Sequence, residues 1–337
     1  MKQWIGKQSI RFENPPYLRQ WASIVGKKEG EGPLSKEFDH VEEDDYFGEK
    51  TWEAAESALQ KDVLTLLLKK EGIKQGDIRY LFAGDLLGQD IATSFGLMEF
   101  QIPLFGVYGA CSTAGESMSL AAMCVAGGFA KQVVALTSSH FASAERQFRY
   151  PLEYAGQRPV SATWTVTGAG AYLISREESK VKITGITTGK VVDLGVKDSM
   201  NMGAAMAPAA ADLIEMNLKD FDLTPEDYDK IITGDLGLVG QELLFELLSK
   251  KGIDISAVHE DCGIEIFDNK EQKTGSGGSG CGCAASTFAA HYLPQIRSGQ
   301  LKRVLYIPTG ALLSPISFNE GNSVPGIAHG VVIEYCG

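Results

Sequence analysis

Asp77-Ile78-Arg79-Tyr80-Leu81-Phe82-Ala83-Gly84-Asp85-Leu86 recurs 150 residues further on as Asp227-Tyr228-Asp229-Lys230-Ile231-Ile232-Thr233-Gly234-Asp235-Leu236. Each copy reads as an amphipathic helix, a short turn and an apolar strand that stops at Gly-Asp-Leu. Two further pairs keep the same order. Gly128-Phe129-Ala130-Lys131-Gln132-Val133-Val134 is matched by Gly299-Gln300-Leu301-Lys302-Arg303-Val304-Leu305, each starting at a glycine that ends a helix. Gly168-Ala169-Gly170-Ala171-Tyr172-Leu173-Ile174 is matched by Ala328-His329-Gly330-Val331-Val332-Ile333. Three ordered pairs at offsets of 150 to 171 residues mark an internal duplication, with halves expected at 1–178 and 179–337. Strands alternating with helices in each half predict an α/β fold, a mixed sheet with helices on its faces.

Upstream of the repeat, the first fifty residues read as irregular, because Pro15-Pro16, the glycine-rich run Gly26 to Gly32 and Pro33 break any periodicity. The acidic stretch from Glu37 to Asp45 reads as a solvated loop. Thr51 then caps a helix that places Trp52, Ala55, Leu59, Val63, Leu66 and Leu67 on one face. Ahead of the second pair lie two matching segments. Gly109-Ala110-Cys111-Ser112-Thr113-Ala114 leads into Met118, Ala121, Ala122 and Val125, and Gly280-Cys281-Gly282-Cys283-Ala284-Ala285-Ser286 leads into Phe288, Ala289 and Tyr292. Helices this poor in charge are buried on all sides. Pairing them back to back at the centre of the fold accounts for their small residues.

Composition narrows the function classes. With 44% hydrophobic and 22% charged residues the chain is rich enough for a large buried core. Its 43 acidic against 31 basic residues give a net charge of −12, which repels nucleic acid and anionic lipid at long range. No basic cluster is interleaved with aromatics, so no nucleic-acid partner is expected. The longest uncharged stretch, Thr274 to Ile296, is broken by glycine, serine and Pro294, and lacks the ~20 apolar residues of a membrane span. No apolar run follows the basic start Met1-Lys2, so no secretory signal is expected, and six cysteines in such a chain imply free thiols.

Cys111 sits at a predicted strand-to-helix turn, where the helix N-terminus would stabilise a thiolate or a bound anion. Taken alone it reads as a small buried hydrophobe in a tight turn, and the pattern around it favours the functional reading. His259-x-x-Cys262 with Cys281-x-Cys283 departs from the usual zinc-knuckle spacing, and neither metal nor cofactor is expected.

The tandem halves, the Gly-Ala-Cys-Ser turn, Thr167-Gly168-Ala169-Gly170-Ala171 and Gly280-Cys281-Gly282-Cys283-Ala284-Ala285-Ser286 together resemble the thiolase superfamily, nearest its ketoacyl-synthase-III-type condensing enzymes. That resemblance implies a five-layered α-β-α-β-α sandwich, a homodimer, and Cys111 as the residue acylated in the enzymes. It also implies a histidine after a strand of the second half and an asparagine or histidine before the last central helix. Here those positions fall at Thr233-Gly234-Asp235-Leu236-Gly237 and at Cys281. A carboxylate beside a developing oxyanion would repel it. An acyltransferase or condensing enzyme using Cys111 is therefore the alternative expectation rather than the leading one.

Longer stretches resemble the stage V sporulation protein AD family. They include Ala83-Gly84-Asp85-Leu86-Leu87, Gly109-Ala110-Cys111-Ser112-Thr113, Thr137-Ser138-Ser139-His140 and Ala144-Glu145-Arg146-Gln147-Phe148-Arg149-Tyr150-Pro151. Met206-Ala207-Pro208-Ala209-Ala210-Ala211-Asp212, Thr309-Gly310-Ala311-Leu312-Leu313-Ser314-Pro315 and Ile327-Ala328-His329-Gly330 extend the likeness to the end of the chain. It implies a non-catalytic binding protein for dipicolinic acid (pyridine-2,6-dicarboxylate) or its calcium chelate. Such a protein would work with the SpoVA membrane proteins, peripheral on the inner forespore membrane, in uptake of the compound into the spore.

A rigid aromatic dianion needs donors for two carboxylates and a flat apolar slot. The Cys111 helix would offer backbone N–H groups to one carboxylate, and Arg146 or Arg149 would grip the other. His140 and His329 are expected to line the cavity, with Cys281 close to Cys111. Asp85 and Asp235, mates in the repeat, either cap their own turns or meet the ligand's ring nitrogen or its calcium, with Asp85 the better candidate.

Overall fold

The computed structural model describes residues 3–148 and 158–337. In the first half, Tyr17–Gly26 (β1), Leu81–Gly84 (β2), Leu104–Gly106 (β3), Gln132–Ser139 (β4) and Gly168–Ser175 (β5) lie in the order β3-β2-β4-β5-β1. In the second, Val181–Thr188 (β6), Lys230–Thr233 (β7), His259–Asp261 (β8), Arg303–Ile307 (β9) and Gly326–Tyr335 (β10) lie in the order β8-β7-β9-β10-β6. The permutation is the same, and so are the directions. The β2 strand runs parallel to β3 and β4, and β7 runs parallel to β8 and β9. The remaining neighbours within each half are antiparallel. At the seam β1 and β6 meet at one pair, Tyr17 opposite Lys182.

The helices repeat as well. Trp52–Glu71 (α1), Ile91–Leu97 (α2), Thr113–Ala126 (α3) and Phe141–Phe148 (α4) belong to the first half. Met202–Phe221 (α5), Gly237–Ser249 (α6) and Cys281–Thr287 (α7) belong to the second, α7 continuing through a π-helical turn, Phe288–Tyr292, into Leu293–Ser298. Both 20-residue helices, α1 and α5, end on a left-handed residue, Gly72 and Asp222. A 3₁₀ turn then leads to β2 or β7, closed by Asp77 on the Lys74 N–H and by Asp227 on the Thr224 N–H, each at 2.8 Å.

The α1 helix covers the outer face of the first sheet and α5 that of the second, while α3 and α7 lie between the sheets. The layers are those of a thiolase-type α-β-α-β-α sandwich. Phe288, at the end of α7, ties the middle together: it stacks on Tyr306 of β9 at 3.9 Å and meets Tyr172 of β5 at 6.5 Å. Small residues are required here because backbones nearly touch. A Cβ on Gly282 would lie 2.2 Å from the Gly168 carbonyl oxygen, and one on Gly170 would lie 2.6 Å from that of Ala285.

One expectation fails. The first fifty residues are not irregular throughout, because Tyr17–Gly26 is a ten-residue strand paired along β5. Leu18, Trp21, Ala22, Ile24 and Val25 are all buried, so the strand is covered on both faces and shows no alternation of polar and apolar residues. The prolines that hide it, Pro15 and Pro16, lie just outside it.

Candidate functional site

The turns after β2 and β7 and the end of β4 meet the starts of α3 and α7. Ala110 takes a left-handed conformation (φ 53°), which swings Cys111 into the space between the halves. The turn is tied locally: Ser112 Oγ donates to the Gly109 carbonyl at 2.7 Å and Thr113 Oγ1 to that of Ala110 at 2.6 Å. The amides of Ser112 and Thr113 donate to the same two carbonyls. The expected supply of open N–H groups at this helix start is therefore reduced. Gly310 presses on the turn from the second half, since a Cβ there would lie 2.3 Å from the Gly109 oxygen.

Cys111 and Cys281 share an apolar cluster with Leu86, Leu87, Ala92 and Ala144, edged by Ile91 and Phe148. Cys281 is fully buried, and its thiol donates to the Ser138 carbonyl at 2.9 Å. The Cys111 thiol lies within hydrogen-bonding reach of Asp235. Burial first, then the Asp235 charge, pushes the Cys111 thiol well above its ordinary pKa. Asp235 also accepts from the Gly280 N–H and the Thr309 hydroxyl, both at 2.8 Å. Burial still outweighs these bonds and lifts its carboxyl to about 7. The protonated thiol can donate to the Asp235 carboxylate.

The two aspartates of the repeat have parted company. Asp85 spends its oxygens on its own turn, accepting from the Leu87 N–H (2.7 Å), the Thr93 N–H (2.8 Å) and the Thr93 hydroxyl (2.6 Å). In the second half Asp261 of β8 does that work, accepting from the N–H groups of Leu236 (2.8 Å) and Gly237 (3.1 Å) and from the Thr233 hydroxyl (2.6 Å). No acid occupies β3, the counterpart of β8. Asp235 is thereby released toward Cys111, whereas Asp85 is committed to its own turn.

The other expected residues scatter. His329 lies within β10, not in a loop before it, and burial lowers its pKa to about 4. His140 follows β4, but its Nε2 meets the Asp45 carbonyl at 2.8 Å and its ring lies 5.6 Å from that of Trp52, in the lining of a second cavity. Arg146 is on the exposed side of α4. Arg149 lies outside the described residues. His259 is engaged by Thr233 and Gln241, each at 3.0 Å, and among the described residues no group of three or more potential ligands is arranged to hold a metal ion.

Sequence reasoning missed the polar layer behind the site. Glu56 accepts from Ser138 (2.9 Å) and Ser143 (2.5 Å), while Gln60 Nε2 donates to Thr93 and Ser138, each at 2.9 Å. Burial, reinforced by Asp85, raises Glu56 to about 8. Its signal was present: Glu56 and Gln60 recur at i, i+4 on the otherwise apolar face of α1. Asp90 is raised to about 7 by burial and by Asp85.

Comparison with known proteins places this geometry. The sequence model of the family "Stage V sporulation protein AD" matches residues 6–334. The chain is 45% identical over 332 residues to "Stage V sporulation protein AD" of Bacillus subtilis (strain 168), covering 98% of each sequence. Among solved structures it is similar to a variant of OleA from Xanthomonas campestris, with a TM-score of 0.62 at 13% identity over 96% of this chain and 98% of that one. It is also similar to 3-oxoacyl-[acyl-carrier-protein] synthase III from Aquifex aeolicus VF5, with a TM-score of 0.56 at 13% identity over 95% and 100%. Likeness at that level shows the fold alone. The full-length match assigns the rest: the chain belongs to the stage V sporulation protein AD family and has a role in sporulation.

Proposed function

We propose that the protein binds dipicolinic acid, free or as its calcium chelate, in the crevice at Cys111 without transforming it, as a component of the SpoVA uptake machinery of the forespore. The observation that carries the non-catalytic part is the Cys111–Asp235 pair. Acyl transfer starts from a thiolate, and a carboxylate at hydrogen-bond distance opposes its formation. Membership of the family supports the choice of ligand.

The pyridine ring would lie on the apolar surface of Leu86, Leu87, Ala144 and Phe148, with Cys111 and Cys281 beneath it. Asp90 and Asp235, each with a pKa of about 7, can offer a protonated carboxyl to a ligand carboxylate or a charged one to chelated calcium. Arg146, exposed on α4, would serve the carboxylate nearer solvent. Asp85 supports the site through its turn.

No helix among the described residues is long and apolar enough to cross a membrane, which suits a peripheral place beside the SpoVA membrane proteins on the inner forespore membrane. The β3 edge of the sheet, with Leu104, Phe105 and Tyr108 exposed, suits pairing with a second copy as a homodimer.

Calorimetry with dipicolinate, alone and with equimolar calcium, tests the reading. Saturable binding that Asp235→Leu abolishes is expected, and absence of heat from either form at protein well above micromolar overturns it. Incubation with acyl-CoA followed by intact-mass measurement tests the alternative: a persistent adduct lost in Cys111→Ala would assign a condensing enzyme instead.

A further inference from the structure

A second cavity, of about 510 Å³, opens where β1 ends, and none of the residues clustered around Cys111 lines it. The α4 helix contributes to both places with different residues: Phe141 and Ala142 line the cavity, whereas Ala144 and Phe148 pack near Cys111. The cavity's size is that of a small-molecule site.

Its walls are aromatic. Trp164 stacks on Phe141 at 4.2 Å, and Trp52, backed by Tyr46 at 3.7 Å, lies next to His140. Cations gather at the same rings. Lys28 Nζ is 4.4 Å from the Trp164 ring centre, and the Arg158 guanidinium, paired with Glu145 at 2.8 Å, is 5.0 Å from it; Lys27 stands at the exposed rim, 3.7 Å from Glu43. Lys28 gives one of its three N–H donors to the Gln272 carbonyl at 2.9 Å. The acids lining the cavity are placed differently. Glu29 is buried and tied to the Thr167 N–H at 3.0 Å, while Glu31 and Asp45 are exposed. His140, only 2% exposed, adds an unpartnered atom: Nε2 faces a carbonyl and so carries the ring proton, which leaves Nδ1 a bare acceptor.

We propose that this cavity binds a planar aromatic carboxylate, its ring against Trp52 and Trp164 and its carboxylate on Lys27 and Lys28. Aromatic walls supply the apolar contact, and a partly desolvated ammonium gives a charge-assisted bond stronger than a neutral one. The assignment is independent of what the Cys111 crevice holds.

Calorimetric titration of the full chain with indole-2-carboxylate, and with the neutral indole-2-carboxamide, tests it. Saturable one-to-one binding of the carboxylate alone is expected, weakened about tenfold or more by Lys28→Met and by the exposed Lys27→Met, and unchanged in Asp235→Asn. The proposal is overturned by no saturation at millimolar carboxylate, or by equal binding of the amide. Lysine variants that melt and bind like the unsubstituted protein would overturn it too, as would loss of binding in Asp235→Asn, which would move the ligand to the Cys111 crevice.

Discussion

The carboxylate of Asp235 lies within hydrogen-bonding reach of the Cys111 thiol; burial and that carboxylate push the thiol pKa up, while burial raises Asp235 against the bond from Cys111, which lowers it. Removing the charge while keeping the shape should release the thiol. Asp235→Asn is expected to lower the Cys111 pKa and speed its alkylation by iodoacetamide severalfold at about pH 8, read by mass spectrometry of the Cys111 peptide. An unchanged or slower rate would contradict the pairing.

Stability should fall as pH rises. Glu56 is raised to about 8, and Glu29, Asp90 and Asp235 to about 7, from ordinary values of 4.5 for glutamate and 3.8 for aspartate. Between those limits the folded chain holds protons that the unfolded chain has released. Their stabilisation is complete below the unfolded values and is lost as pH climbs through 7 to 8. Melting temperature is expected to decline from about pH 5.5 to 8.5, and Glu56→Gln to flatten the decline. A rising curve would refute the assignment.

Asp85 and Asp235 should separate by phenotype. Asp85→Ala strips acceptors from the buried amides of Leu87 and Thr93, at about 1–3 kcal/mol for each unsatisfied group. A clear drop in melting temperature is expected. Asp235→Asn keeps most of its hydrogen bonds and should melt close to the parent while losing affinity for dipicolinate. Equal destabilisation of both variants would argue for two structural caps.

Phe288→Ala should empty the space between Tyr306 and Tyr172 in the middle layer. Truncating a buried phenylalanine typically costs about 3–5 kcal/mol, which urea unfolding would register. A loss below about 1 kcal/mol would mean that the layer closes over the gap.

The proposed homodimer makes β3 decisive. Phe105, about half exposed on an open strand edge, is a position where a charge should block pairing. Phe105→Glu is expected to shift light-scattering mass from dimer to monomer, and an unaltered dimer would place the contact elsewhere.

The duplication was legible because Gly-Asp-Leu closes a buried strand in each half, and the same backbone event selects the same residues twice. The central helices were legible from their lack of charge. The β1 strand was not, since burial on both faces erases the period of two that identifies a strand. Glu56 and Gln60 left a visible mark as polar residues on an apolar helix face, but their role was not legible, because it depends on partners such as Ser138 and Ser143, 82 and 87 residues from Glu56.

By itself, then, the sequence determined the repeat, the α/β layers, the family resemblance and the place of Cys111 at a helix start. Only the tertiary structure decided what Cys111 faces. Asp85 and Asp235 are equivalent in the linear repeat, and their difference arises because Asp261 of β8 caps the second turn while nothing on β3 relieves Asp85 of the first. A hydrogen bond satisfied by a neighbouring strand frees the carboxylate that would otherwise make it. That choice depends on which strands pair, which a pattern along one chain does not reveal.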